Sequence, residues 1–329
     1  MHIASKTKKQ HFISQAELGL NALNSEADKK DRKIYSFSIK DREAHSVLLD
    51  KKSGYKISDK LFYKKDLFSF HVLDKKYRLN FETLFGEYES AVSSHTTSLL
   101  EKIEKSNPDI GLEIQNLFIC KFLNFFRNPY AIKMALHVSS SMRGKIIPTD
   151  GELQKVLRVV LDGNNPKQKD LCAQLGVSEK DYRDWLAVIF HILSLKDRGE
   201  NFLETLAKAL FENSYTLVHV HRYTSERCLV SDKGYIDPVS QEGCTAFDFN
   251  LTSWAFIQYK FIHFESYLAN FSADTIARYK KEHSFVKPSY SLNNLDALDI
   301  YNKTVVYQSH KNVFCAAPSI YGVNVQAPE

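Results

Sequence analysis

Glycine is scarce in this sequence, 12 residues in 329, and the loops that cradle phosphates are missing with it. There is no G-x-x-x-x-G-K-[ST] and no G-x-G-x-x-G, so an ordinary nucleotide-binding enzyme is not indicated. H-E-x-x-H and G-x-S-x-G are absent too, which argues against a zincin and an α/β-hydrolase. The five cysteines, Cys120, Cys172, Cys228, Cys244 and Cys315, are widely spaced and form no C-x-x-C pair. A zinc knuckle or thioredoxin-like site therefore has no ligands, and reduced, buried thiols suit a cytoplasmic protein. No apolar run of about 18 residues is available to span a bilayer, and the first residues lack the apolar core of a signal peptide.

Aromatic residues are abundant, with 22 Phe and 17 Tyr, and should dominate the core. The formal net charge is only +5, but it is unevenly spread. Residues 1–80 hold 18 Lys and Arg against 10 Asp and Glu, a net of +8, which leaves −3 for the remainder. Such asymmetry favours a polyanion such as nucleic acid, although a solvated lysine-rich surface produces the same count.

The hydrophobic pattern predicts an α+β, mainly helical protein: a central helical bundle with a small β layer from the N-terminal and C-terminal thirds. The whole of 1–329 is expected to be one domain with three subregions. In 1–79, Lys33 to Ile39 alternates as a half-buried strand, with His45 to Leu49 as its partner. Gln15 to Leu23 should form a short helix. In 80–212 the period becomes helical. Phe81, Leu84, Phe85, Tyr88, Val92, Leu99 and Ile103 make one stripe, with Asn80 as N-cap and Pro108 beyond the end. The helix from about Asp109 to Phe126 is apolar on nearly all sides, despite Glu113, Gln115, Asn116, Lys121 and Asn124, and should be the central helix of the core. In 213–329, strands are expected at 215–221, 227–232, 246–249 and 254–259, then a helix over 291–308.

Residues 168–186 resemble a helix-turn-helix, with Gly176 at the turn and Tyr182 and Trp185 on the core face of the second helix. Glu179, Asp181 and Asp184 would repel phosphate, so the geometry is expected to serve packing.

The segment Lys8-Lys9-Gln10-His11-Phe12-Ile13-Ser14-Gln15 places an imidazole and an amide beside lysines. Such a group suits a general base, a metal ligand or a phosphate contact, or equally a histidine that pins the N-terminal segment to the helices. Here the chain resembles the bacterial domain-of-unknown-function family numbered 4238. Its members open with a His-His-Tyr-Val-Pro-Gln type motif, which Gln10 to Gln15 echoes, with Gln10 and Ser14 departing from it. A strand pair like Ile34 to Leu49 follows, then a helix with two spaced glutamates like Glu82 and Glu89. A corner like Arg127-Asn128-Pro129 comes next, then a strand end like Ser231-Asp232, and a last helix like Leu292 to Val306.

The resemblance implies a polar set of candidate catalytic residues, His11, Glu89, Arg127 and Asp232, with Lys8, Lys9, Gln15 and Ser231 as candidate substrate contacts. The opening histidine looks like the first one of an HNH nuclease, but the rest of that site is not visible. The carboxylates suit a divalent cation such as Mg or Mn, and the histidine could activate water. One expectation is a metal-dependent nuclease acting on nucleic acid in bacterial defence against phage. The other is a non-catalytic sensor or partner-binding protein, its polar set being a buried structural network.

Overall fold

A computed structural model describes residues 3–73, 77–106, 109–141, 150–197, 199–283 and 286–327. Pro108, expected to end a helix, lies outside them.

The N-terminal third is built of short strands around one small helix: β1 (Ala4–Ser5), β2 (Lys9–His11), α1 (Gln15–Leu20), β3 (Lys33–Asp41), β4 (Ser46–Leu49), β5 (Tyr55–Lys56), β6 (Tyr63–Lys65), β7 (Ser69–Val72) and β8 (Arg78–Asn80). Helices follow: α2 (Glu82–Glu104), α3 (Gly111–Arg127), α4 (Ile132–Val138), α5 (Gly151–Asp162), α6 (Gln168–Leu175) and α7 (Glu179–Ser194). The small pair β9 (Lys196–Asp197) and β10 (Glu200–Asn201) precedes α8 (Phe202–Glu212). Strands then return as β11 (Ser214–Arg222), β12 (Val230–Ser231), β13 (Val239–Gln241), β14 (Cys244–Thr252) and β15 (Ala255–His263). The chain finishes with α9 (Phe264–Tyr267), α10 (Ala273–His283), β16 (Val286–Leu292), α11 (Leu295–Gln308), β17 (Asn312–Cys315) and β18 (Asn324–Gln326).

This corrects the expected helical bundle with a small β layer. The protein is a mixed α/β fold, 44% helical and 26% strand. Its strands form two large sheets of five and six strands, besides smaller ones. The five-stranded sheet runs β13-β14-β15-β11-β16, antiparallel except for the parallel β11–β16 pair. The six-stranded sheet runs β12-β17-β3-β4-β18, with β5 also paired to β3, so it combines N-terminal and C-terminal strands. The expected strand at 227–232 shrinks to two residues. Ser291 and Leu292, expected to open a helix, instead end β16, and Leu292 is 61% exposed.

Each face of the five-stranded sheet has its own packing partner, because strand side chains alternate. Ile257, Tyr259 and Phe261 face the helices, where Phe118 of α3 lies within 6 Å of the rings of Phe211, Phe247, Phe249, Tyr259 and Phe261. Phe256 points the other way and stacks on Tyr301 of α11 at 4.1 Å. No helix among the described residues is long and apolar enough to cross a membrane.

In the helix-turn-helix-like segment, Gly176 adopts the left-handed conformation (φ 66°, ψ 37°) that closes α6. Tyr182 and Trp185 are fully buried, and both are tied to backbone: the Tyr182 hydroxyl donates to Leu67 O at 2.5 Å and the indole N–H to Phe126 O at 2.6 Å. The second helix is thus fastened to the core by its inner face.

Candidate functional site

Of the four buried polar residues of the core helix α3, Glu113 lies in its first turn, and Lys121, Asn124 and Arg127 are spaced three apart and so on one face. Buried charge is costly unless paired, so each must find a partner. Lys121 Nζ donates to Glu17 of α1. Asn124 Nδ2 donates to both Glu17 oxygens, at 3.2 and 3.0 Å, and to Gly234 O at 3.4 Å. Gly234 has φ 75°, and a Cβ there would stand 3.3 Å from the Asn124 amide, so the position suits only glycine. Burial, with Glu17 close by, pushes the Cys120 thiol up to about 12, which leaves it inert.

Arg127 ends the helix, and Asn128-Pro129 redirects the chain. Asn128 is extended, caps Tyr130 N at 2.9 Å, and donates from Nδ2 to Asp232 O at 3.0 Å. Arg127 is 1% exposed. One guanidinium nitrogen donates to Glu89 Oε1 at 2.7 Å, another to His11 O at 2.8 Å, and the group lies 4.7 Å over the Phe85 ring. Its Nε–H is buried with no partner among the described residues.

His11 ends β2, whose register on β6 sets His11 opposite Tyr63. The buried Gln10 anchors the strand by donating to Thr7 O and Ser69 Oγ and accepting from Phe68 N. One helical turn on, Gln15 donates its amide N–H to His11 Nε2 at 3.0 Å. With Nε2 accepting, the ring proton sits on Nδ1. Burial lowers the His11 pKa to about 4, and the positive charges of Arg127, Lys29 and Lys9 push the same way. The imidazole is neutral at physiological pH.

Glu82 joins this group. It opens α2 two turns before Glu89, on the same face. Burial raises its pKa to about 7; Arg127 opposes the rise and the Glu89 charge adds to it. A carboxyl half-protonated near neutrality, a neutral imidazole and a buried guanidinium therefore share one neighbourhood. Among the residues expected from sequence, His11, Gln15, Glu89 and Arg127 come together. Glu82 was visible as the first of two spaced glutamates, but nothing in the sequence says that it is half-buried beside Arg127.

Asp232 and Ser231 do not join. The Asp232 carboxylate accepts from the backbone N–H groups of His310, Lys311 and Asn312 at 2.7, 2.7 and 3.0 Å, holding the turn into β17. Burial raises its pKa against those three bonds. The Ser231 hydroxyl accepts from Lys233 N and Ser309 Oγ. Although Ser231 and Asp232 come at a strand end, the turn into β17 covers both, and both are buried. Lys8 and Lys9 are exposed, and Lys9 lies 5.2 Å over the Tyr63 ring.

These donors do not fit a divalent cation. His11 Nε2 is engaged by Gln15, Glu89 by Arg127, and Asp232 by backbone. Among the described residues no group of three or more His, Cys, Asp or Glu is placed to hold a metal ion. No family model, no curated protein and no solved structure matches the chain.

Proposed function

We propose that this protein acts on nucleic acid in the bacterial cytoplasm, as a defence effector of the family it resembles, and that the Arg127 site engages the phosphodiester. What supports this most is the buried guanidinium, with an unused N–H, set between a carboxyl that titrates near pH 7 and an imidazole held neutral. That is the equipment for proton-transfer chemistry on RNA, which brings its own nucleophile. Neutral His11 takes the proton of the 2′-hydroxyl at Nε2, where that hydroxyl displaces the Gln15 N–H, as the 2′-oxygen bonds to phosphorus. Protonated Glu82 gives its proton to the departing 5′-oxygen, and Arg127 balances the charge that gathers on phosphorus. The basic N-terminal third would gather the polyanion.

The test is incubation of pure protein with DNA, RNA and tRNA, in EDTA and with Mg²⁺ or Mn²⁺. RNA cleavage should persist in EDTA and fall about a hundredfold in His11→Ala and Glu82→Gln, which still melt as folded proteins. Cleavage that needs the metal, or no cleavage at all, overturns the proposal. The second outcome leaves a partner-binding protein, favoured by one contact: Arg127 holds the backbone of His11, a clasp between β2 and α3.

A further inference from the structure

The face of the five-stranded sheet that carries Phe256 also carries a polar row that the Arg127 site does not use. Strand register sets Asp248 of β14 opposite Gln258 of β15, Gln258 opposite His219 of β11, and His219 and His221 opposite Ser289 and Ser291 of β16. Donor and acceptor chemistry gives this row a direction. The Gln258 Oε1 atom, 3.0 Å from His221 Nε2, can only accept, so Nε2 carries the ring proton. Nδ1 is then the lone pair, and it accepts the hydroxyl proton of Ser291 at 2.9 Å. Asp248 stands opposite Gln258 across the β14–β15 pair; burial pushes its carboxyl up to about 6, and the Gln258 side chain beside it opposes the rise. The order Ser291 to His221 to Gln258 is donor to acceptor at both steps.

The neighbouring pair is wired the other way. Ser289 gives its proton to Val218 O at 3.2 Å and so accepts from His219 Nδ1 at 2.7 Å. It is not activated, and it serves as an internal control. The His221 ring is held between His219 at 4.2 Å and Phe256 at 4.5 Å, so it cannot turn away from Ser291. Ser291 is half-buried on an edge strand, reachable from solvent.

We infer that Ser291 is a nucleophile with His221 as its base, positioned by Gln258, in a second site that transfers or hydrolyses acyl groups of esters or amides. Ser291 Oγ bonds to the acyl carbon while its proton passes to His221 Nδ1. The carbon–leaving-group bond breaks as that proton is returned to the leaving group. Water then attacks the acyl-serine by the same exchange, releasing the acid and restoring Ser291. Burial lowers the His221 pKa to about 4, so the base is unprotonated at neutral pH.

A fluorophosphonate probe tests this on the intact protein. Its P–F bond should be exchanged for a P–O bond, and peptide mapping should place the adduct on Ser291. Ser291→Ala should abolish labelling and His221→Ala slow it about a hundredfold, while Ser289→Ala keeps the wild-type rate. Gln258→Glu, which still accepts from His221, should label faster than Gln258→Leu at equal melting temperature, a difference that a merely structural glutamine would not produce. No adduct on the wild type, an adduct mapped elsewhere, or undiminished labelling of Ser291→Ala overturns the inference.

Discussion

Two ionic clusters, around Lys121 and Arg127, lie along the same face of α3, nearly two turns apart, and they are finished to different degrees. Around Lys121 every strong group is used: the ammonium meets Glu17, and both Glu17 oxygens also take the Asn124 amide. Around Arg127 the accounts stay open. The Nε–H has no partner among the described residues, the Glu89 side chain is 30% exposed, and Glu82 titrates near pH 7. A completed buried network fixes a fold, whereas an incomplete one stays poised to take something in. Burial alone does not distinguish the two, since Lys121 and Arg127 are both almost fully hidden.

The comparison is broken most forcefully at Lys121. Lys121→Met strands the Glu17 charge and should destabilise the protein by about 3–5 kcal/mol in a denaturant melt. Adding Glu17→Gln should recover most of that loss; no recovery would mean that the cluster does more than satisfy itself. Arg127→Ala should cost about 3 kcal/mol or less, because Glu89 can turn to water where Glu17 cannot.

Glu82→Gln sharpens the contrast through pH. The folded pKa of Glu82 is raised, so its proton is held more tightly in the native state, and stability falls as pH rises from about 4.5 to about 7. His11 has the opposite sign: its folded pKa is depressed, so stability is lost as pH falls from 6.5 to about 4. The two slopes oppose each other across pH 4.5 to 6.5. Glu82→Gln should leave the His11 slope exposed and raise stability by about 1–3 kcal/mol at pH 8, with little change at pH 4. Equal shifts at both pH values would place Glu82 outside the cluster.

The smallest effect belongs to the helix-turn-helix-like segment, whose inner face is already fastened to backbone. Replacing Asp181 and Asp184 with Asn should leave nucleic-acid affinity nearly unchanged in a binding titration at two salt concentrations. A salt-sensitive gain would show phosphate running past α7.

Part of this was legible from sequence. Lys121 and Asn124 stood out as polar breaks in an apolar helix, and Arg127 as its last residue before a corner. Their partners were not legible, since Glu17 lies 104 residues from Lys121, and nothing local marks a glutamate that will be buried. Asp232 misled for a related reason: its ligands are three backbone N–H groups from 310–312, and backbone has no sequence signature. The sheets were underestimated because β17 and β18 are only four and three residues long, and β16 contains a proline. Pro288 is tolerated there because β16 lies at the sheet's edge.

The pairing of β3 with β17 carries a consequence for how the chain reaches its fold. Phe37 stands opposite Val313, and Ser38 opposite Asn312, across more than 270 positions of sequence. Such closure is slow, because the entropy of a long loop is spent before the contact returns anything. Until 312–315 arrives, β3 keeps one edge unpaired, next to the buried Ile34 and Phe37. A growing chain thus carries a sticky strand through most of its synthesis, and a protein clipped before residue 312 would expose that edge for good, as a template for aggregation.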